Sequence, residues 1–404
     1  MKRPSLAILI AITCLNPVAL NILQPAIPGL ATVFDTDYGT AQLTLTVYLL
    51  AFGLFQLVHG PLSDRYGRRP VTLAGFAMFL VGTAMCMVAD NITVLVIGRL
   101  IQAAGSCAGF VLARAMIRDM HDEHQSASKI GYLTMVMVVA PMISPAIGGA
   151  IEATLGWRAI FVAMFGFGIF VWGCAALFLY ETRPGAAGRI SMVAGARVLL
   201  TDPLFLAHAA TMSFTSMTFF VFLSGAPYVT VTILGEPPIT YGLYFMFCSL
   251  GYIAGNFISG RYAPVIGARG LVRRGTALAL VTVLPLVIAT WLAPGSVLSL
   301  FLPMFPIAFT QGLTLPGATA GAISVRPDLA GTAAGLSGAL QLSISAAASW
   351  VVGQLMDQTA WPMVGAMVLA CCCAFVAARI AEHIAGGRPP LNARREVPSS
   401  VVPR

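Results

Sequence analysis

Gly60-Pro61-Leu62-Ser63-Asp64-Arg65-Tyr66-Gly67-Arg68-Arg69-Pro70 is a knot of charge and tight turn between two long apolar runs. Four of the six residues from Asp64 to Arg69 are charged, in a chain of 404 residues of which only 9% are. Outward from this knot the chain is 58% hydrophobic, with a mean hydropathy of +0.86, well outside the range of soluble domains. A bilayer core about 30 Å thick takes about 20 apolar residues per helix, so the length holds roughly a dozen spans. The 40 glycines and 25 prolines scattered through the apolar runs would break soluble helices. In a membrane, neighbouring helices satisfy the freed backbone groups. The fold class is therefore all-α, a polytopic membrane protein.

Hydropathy places spans near 5–29, 41–62, 71–89, 92–116, 127–149 and 158–180, then near 204–226, 241–262, 272–292, 297–322, 330–352 and 361–383. The longest polar interruption runs from Glu181 to Pro203. Twelve transmembrane helices thus divide into a first six-helix bundle (1–183), a central loop (184–203), a second six-helix bundle (204–385) and a Pro- and Arg-rich tail (386–404) read as disordered. Lys2-Arg3 ahead of an apolar stretch imitates a signal peptide. The run continues past Asn21 without a small-residue cleavage site, so it reads as a retained first span.

With the N-terminus inside, the inner segments collect Arg65, Arg68, Arg69, Arg118, Arg269, Arg273 and most of the remaining bases. The outer segments hold Asp35, Asp37, Asp90, Glu152, Glu236 and Asp357, with Arg158 as their one base. This is the asymmetry of the positive-inside rule and puts both termini in the cytoplasm. The net charge of +8 reports those loops rather than a nucleic-acid partner. The two halves echo one another: Gly60…Asp64-Arg65-Tyr66-Gly67-Arg68 returns, weakened, as Gly260-Arg261-Tyr262…Gly267-Ala268-Arg269 about 200 residues later. Parallel repeats of this kind place a substrate site at the repeat interface, near the membrane midplane.

Enzyme chemistry finds no footing. The five histidines are scattered, the eight cysteines lie in apolar runs without metal-ligand spacing, and no nucleophile stands beside a base. No catalytic residue, metal ligand or cofactor is assigned. Within the spans, polar and aromatic groups suited to a small lipophilic ligand are Asn21, Gln24, Thr44, Tyr48, Arg99, Gln102, Phe219, Phe220, Tyr244, Asn256, Gln311 and Gln341. Arg99 stands some eight residues inside its span, where a charge must face a cavity or a partner. Arg114, nearer the end, can snorkel. His59 is read as an interfacial residue able to titrate near neutrality.

Gly60-x-Leu62-x-Asp64-Arg65-x-Gly67-Arg68-Arg69 resembles the loop signature of the major facilitator superfamily. The longer run from Gln42, Thr44, Leu45 and Tyr48 through Gln56 and Leu57 to Arg65 is similar to its bicyclomycin/chloramphenicol-resistance branch of drug:proton antiporters. Arg99-x-x-Gln102-x-x-Gly105 matches the superfamily's buried-arginine motif. Ala140-Pro141…Ser144-Pro145-Ala146-Ile147-Gly148-Gly149 matches its antiporter motif, and Phe222 to Pro227 and Ala330 to Gly335 match later spans of the branch. The resemblance implies a monomeric exporter in a bacterial inner membrane, moving small molecules by alternating access and driven by protons rather than a bound cofactor. It makes Gly60, Asp64, Arg65, Gly67, Arg68, Arg69 and Arg118 an inner latch, and Pro141, Pro145, Gly148 and Gly149 a kinked outer seal. It also implies an aspartate in span one, where this chain has Asn21-Ile22-Leu23-Gln24-Pro25-Ala26-Ile27-Pro28. None of the fifteen acidic residues lies near the middle of a span. The expected substrate is accordingly neutral, zwitterionic or anionic, with Asn21, Gln24 and Arg99 as hydrogen-bonding groups. A dedicated exporter of one native metabolite, such as a siderophore or toxin, and an uncoupled facilitator remain open alternatives.

Overall fold

The punctuation that bounds the apolar runs also bounds the helices. Asp37 caps the helix Tyr38–Tyr66 by accepting from the Thr40 amide at 2.8 Å, and the Thr40 hydroxyl, donating to its other oxygen at 2.6 Å, joins that amide in holding the carboxyl below the usual range. Gly67, at φ 101°, reverses the chain after that helix, and Gly267, at φ 79°, does so at the equivalent point of the second half. Left-handed backbone of this kind favours glycine. Asp202 caps Pro203–Tyr228, with proline at the first helical position where its missing N–H costs nothing.

The computed structural model describes residues 4–120, 123–182 and 192–386, with side chains throughout except at 123–128, 130–132, 134–136 and 192–193. The expected disorder of the tail beyond 386, and Arg183, Arg189, His121 and the side chain of His124, lie outside what is described. Twelve helices are long and apolar enough to cross a membrane, and no strand occurs among the described residues. The spans are Leu6–Val33, Tyr38–Tyr66, Arg68–Met87, Ile92–Met120, Met137–Leu155, Trp157–Phe178, Pro203–Ile233, Pro238–Ile266, Ala268–Leu292, Val297–Ser324, Pro327–Leu355 and Trp361–Gly386. Most extend the hydropathic estimates by a few polar residues at their ends, because hydropathy stops at the first charge and a helix does not.

Three details differ from the linear reading. Span one is interrupted, as a helix to Asn21, a tight 3-10 turn Gln24–Ala26 and a second helix from Ile27. Span five runs unbroken as Glu123–Leu155 through both Pro141 and Pro145. The central loop carries a helix, Met192–Leu200, and Gly195 packs toward Leu329 and Thr332 of span eleven.

Consecutive spans joined by short links alternate in direction, so the loops 60–70 and 260–270 share one end of the molecule with residues 4 and 386. We call this the terminus side. The two bundles meet along two seams, span two on span eleven and span five on span eight. At the opposite, far side these seams are closed to backbone distance. A methyl group at Gly149 would sit 2.7 Å from the Ile239 Cα, and one at Gly242 would collide with Ala146. Gly39 faces the Gln354 side chain, and the Tyr38 hydroxyl donates to the Ser224 carbonyl oxygen. On the terminus side, a methyl group at Gly60, Gly260 or Gly331 would meet nothing within 4 Å among the described residues. Approach of the two halves to backbone distance is thus found at the far side.

Candidate functional site

The candidate substrate residues separate into two chemical classes, those whose polar atoms are already used and those whose atoms are not. Arg99 belongs to the first. It is buried, and its guanidinium donates to the Thr44 carbonyl at 3.3 Å, the Ala19 carbonyl at 3.0 Å and Gln102 Oε1 at 2.6 Å. Its remaining face lies over the Tyr48 ring, 4.2 Å from the centroid. Gln102 passes the chain on by donating to Thr83 Oγ1 at 2.8 Å. Asn16 donates to the Ser106 hydroxyl at 2.8 Å, and the Tyr48 hydroxyl lies 3.0 Å from the same oxygen. Arg99, Gln102 and Tyr48 thus brace spans one to four, and a buried charge satisfied by carbonyls and a ring needs no counter-ion.

Asn21 and Gln24 belong to the second class. Both are buried, and each spends only its amide on the preceding turn, Asn21 on the Pro17 carbonyl at 2.8 Å and Gln24 on the Leu20 carbonyl at 3.4 Å. Among the described residues, Asn21 Oδ1 and Gln24 Oε1 have no hydrogen-bond partner, and neither have the two amide atoms of Gln42 or the Tyr241 hydroxyl. An unpaired buried polar atom costs about 1–3 kcal/mol, and the interruption of span one concentrates two such acceptors in a single turn. The bond from Arg99 to Ala19, two residues before Asn21, ties this turn to the brace. Gln42 entered the sequence reading only as part of the family-like run, and Tyr241 not at all; nothing in their spacing distinguishes a satisfied from an unsatisfied polar group.

The other expected contacts lie apart. Phe220 is buried against Phe219, with ring centroids 5.4 Å apart, and Tyr244 packs on Phe301 at 5.3 Å. Gln311 sits inside the second bundle, where with Thr215, Thr218 and Thr314 it borders a void of about 10 Å³. His59 is buried rather than interfacial, with Nε2 2.8 Å from the Ala104 carbonyl. Arg114 lies over Phe110 at 4.5 Å.

The loop after span two forms a closed electrostatic joint. Arg68 Nη1 lies 2.6 Å from Asp64 Oδ1, and its Nε lies 3.0 Å from Asp119 Oδ2. The Arg68 and Asp119 side chains are 12% and 13% exposed, whereas Asp64 is 65% exposed. The Glu181 carboxylate accepts the backbone N–H groups of Arg68 at 2.9 Å and Arg69 at 3.1 Å. Carboxylates are favoured at this position by the helix dipole. Arg69 donates to the Ala176 carbonyl at 2.8 Å, and Arg65 stacks near Tyr66 at 5.2 Å. The joint therefore binds spans two, three, four and six of one bundle together. Asp119 and Glu181 are its members that motif reading missed, and Arg118 is exposed with no ion pair among the described residues.

Two of the residues expected at the outer seal, Gly148 and Gly149, stand at close helix contacts. Gly148 abuts the Ile22 carbonyl so closely that a methyl group would collide with it, and Gly149 faces span eight. Three residues beyond Gly149 stands Glu152, assigned above to the outer segments. It lies on the last turn of the helix with Oε2 enclosed and without a hydrogen-bond partner among the described residues.

The fold and motifs have counterparts among known proteins. The chain is 30% identical over 362 residues to the chloramphenicol resistance protein of Pseudomonas aeruginosa, covering 87% of this chain and 84% of that one. It is 29% identical over 338 residues to multidrug resistance protein D of Escherichia coli K12, covering 83% and 85%. Its fold superposes with a TM-score of 0.74, at 17% identity and over 95% and 96% of the two chains, on a bacterial homolog of the human lysosomal transporter Spinster in an inward-facing and occupied conformation. The Major Facilitator Superfamily pattern matches residues 9–349, and the chain belongs to that family of membrane transporters.

Proposed function

We propose that this transporter exports uncharged, zwitterionic or anionic drug-like molecules or metabolites from a bacterial cytoplasm, with the terminus side facing the cytoplasm. The observation that carries the substrate class is the turn at Asn21 and Gln24, where two amide oxygens are buried without hydrogen-bond partners among the described residues. Amide groups offer hydrogen bonds but no counter-charge, and Arg99, committed to carbonyls, keeps the local field positive. A cationic drug gains nothing there. The names of the two relatives favour drug efflux.

The transport cycle rests on the two seams. Gly53 against Leu342, Gln56 against Gly338 and Leu57 against Gly335 run in opposite directions along spans two and eleven. Extended by two turns, this register brings Asp64 opposite the start of the helix Ala330–Leu355. Rocking the bundles together on the terminus side would offer the exposed Asp64 carboxylate to that helix N-terminus, an interaction of about 0.3–1 kcal/mol. In the present state Asp64 is paired with Arg68 instead. Proton antiport is the proposed energy source, with no carboxylate in the membrane interior of span one to carry it. The chain is taken to act as a monomer.

The test is substrate profile. A strain expressing the wild type should gain resistance to phenicols or bicyclomycin but not to cationic dyes, and Asn21→Asp should add the dyes. Substrate-induced pH change in energised inverted vesicles reports coupling. Resistance to cationic dyes by the wild type, or an unchanged profile in Asn21→Asp, would remove Asn21 as the charge selector. If no drug shifts susceptibility, the dedicated metabolite exporter is favoured.

A further inference from the structure

The second bundle carries a cavity that the transport reading does not use. It measures about 560 Å³ and opens at the terminus side between spans seven, nine, ten and twelve. Its wall holds Arg269, Arg273, Arg379, His208 and one carboxylate, Glu382. Glu382 is shared by two of the arginines, lying 3.4 Å from Arg273 and 2.8 Å from Arg379. Arg269 has no ion pair among the described residues, and His208 Nδ1 has no hydrogen-bond partner. Three guanidinium groups against one carboxylate leave the wall cationic.

The repeat tells what chemistry belongs there. In the first bundle the helix that follows Gly67 begins with the amides of Arg68 and Arg69, and the Glu181 carboxylate sits on both. In the second bundle the helix that follows Gly267 begins with Ala268 and Arg269, which line the cavity. Among the described residues no carboxylate reaches those two amides. The position that an internal anion fills in one half is, in the other, a basic cavity built around the same type of helix N-terminus. Amides at a helix start together with guanidinium forks are suited to the oxygens of phosphate. Basic pockets between spans on the cytoplasmic side also take anionic lipid headgroups.

We propose that this cavity is a binding site for a phosphate group, held by Arg269, Arg273 and the amides of Ala268 and Arg269, with Arg379 and His208 at its rim. The shared chemistry is a phosphate anion or diester, and the two sources are the headgroup of an anionic phospholipid and free inorganic phosphate. The site is separate from the Asn21 turn and does not depend on the substrate reading.

The experiment follows thermal unfolding of the full chain in detergent. The additives are phosphatidylglycerol, phosphatidylcholine, and sodium phosphate against sodium chloride at matched ionic strength. Phosphatidylglycerol or phosphate should raise the wild-type midpoint where phosphatidylcholine and chloride do not. The half-saturating concentration should rise at least tenfold in Arg269→Ala/Arg273→Ala. A response to phosphatidylglycerol alone assigns the lipid; a response to phosphate that competes with the lipid assigns the free anion. Should the double variant not fold, Ser324→Glu places a carboxylate on the cavity wall and should abolish the response while leaving a folded protein. The proposal is overturned if neither probe shifts the wild type, or if the shift persists unchanged in the variants that fold.

Discussion

The turns at Gly67 and Gly267 follow helices of identical length, 29 residues each, and both glycines are left-handed, yet the stretches 60–70 and 260–270 ended as opposite devices. In the first, Arg68 is held by Asp64 and Asp119, and the next helix is capped by Glu181. In the second, the positions of Asp64 and Arg68 are taken by Pro264 and Ala268, and the bases that remain face a cavity. Duplicated backbone geometry therefore does not carry duplicated chemistry. The glycine turn survives because it serves the fold, while the charges diverge with the job of each half.

The comparison can be broken most forcefully at Arg68. Arg68→Ala removes both pairs and leaves Asp119 largely enclosed without a counter-charge, at a cost approaching about 3 kcal/mol. Arg269→Ala should cost no more than about 0.5 kcal/mol in phosphate-free buffer. Thermal unfolding of the two variants in detergent measures the contrast, and equal losses would erase it. A smaller effect is expected at Asp119→Asn, which keeps the shape but leaves Arg68 with the exposed Asp64. Its loss of about 1–2 kcal/mol, from weakening a charge-assisted bond, should exceed that of Asp64→Asn, whose exposed pair contributes about 0–1 kcal/mol. The reverse order would move the weight of the joint back onto Asp64.

Glu181→Gln removes charge from the first turn of span three, and about 0.3–1 kcal/mol should be lost, less at high salt. Smallest of all is the effect of rebuilding the joint in the second half. In a double-mutant cycle of Pro264→Asp and Ala268→Arg, the coupling should stay near 0.3–0.5 kcal/mol, the value of an exposed helical pair, because no equivalent of Asp119 stands behind it. Coupling above about 1 kcal/mol would show the two ends to be more alike than their sequences.

Much of this was legible in the sequence. A run of some 20 apolar residues has no alternative to a membrane helix, so all twelve spans were found with errors only at their ends. The loop signature pointed to Asp64 and Arg68, and the spacing of Gly148 and Gly149 to close helix contact. What escaped was set by tertiary partners. Asp119 and Glu181 reach Arg68 across 51 and 113 positions, and neither lies in a motif. The proline pair in span five leaves its helix continuous, while the interruption fell in span one, where Pro25 and Pro28 follow two polar residues. Whether both ends of an amide are spent, as at Gln102, or only one, as at Gln24, is decided by neighbours that no periodicity reveals.

The central claim is that the two bundles rock as bodies about a far side that must open, and it can be tested by tying that side shut. All eight native cysteines are free and can be replaced before Gly39→Cys and Gln354→Cys are introduced at the span two and span eleven seam, where Gly39 and the Gln354 side chain meet. The account predicts that oxidation forms the cross-link, stops substrate transport in vesicles and is reversed by reductant. A cross-linked protein that transports at the rate of its reduced form would contradict it.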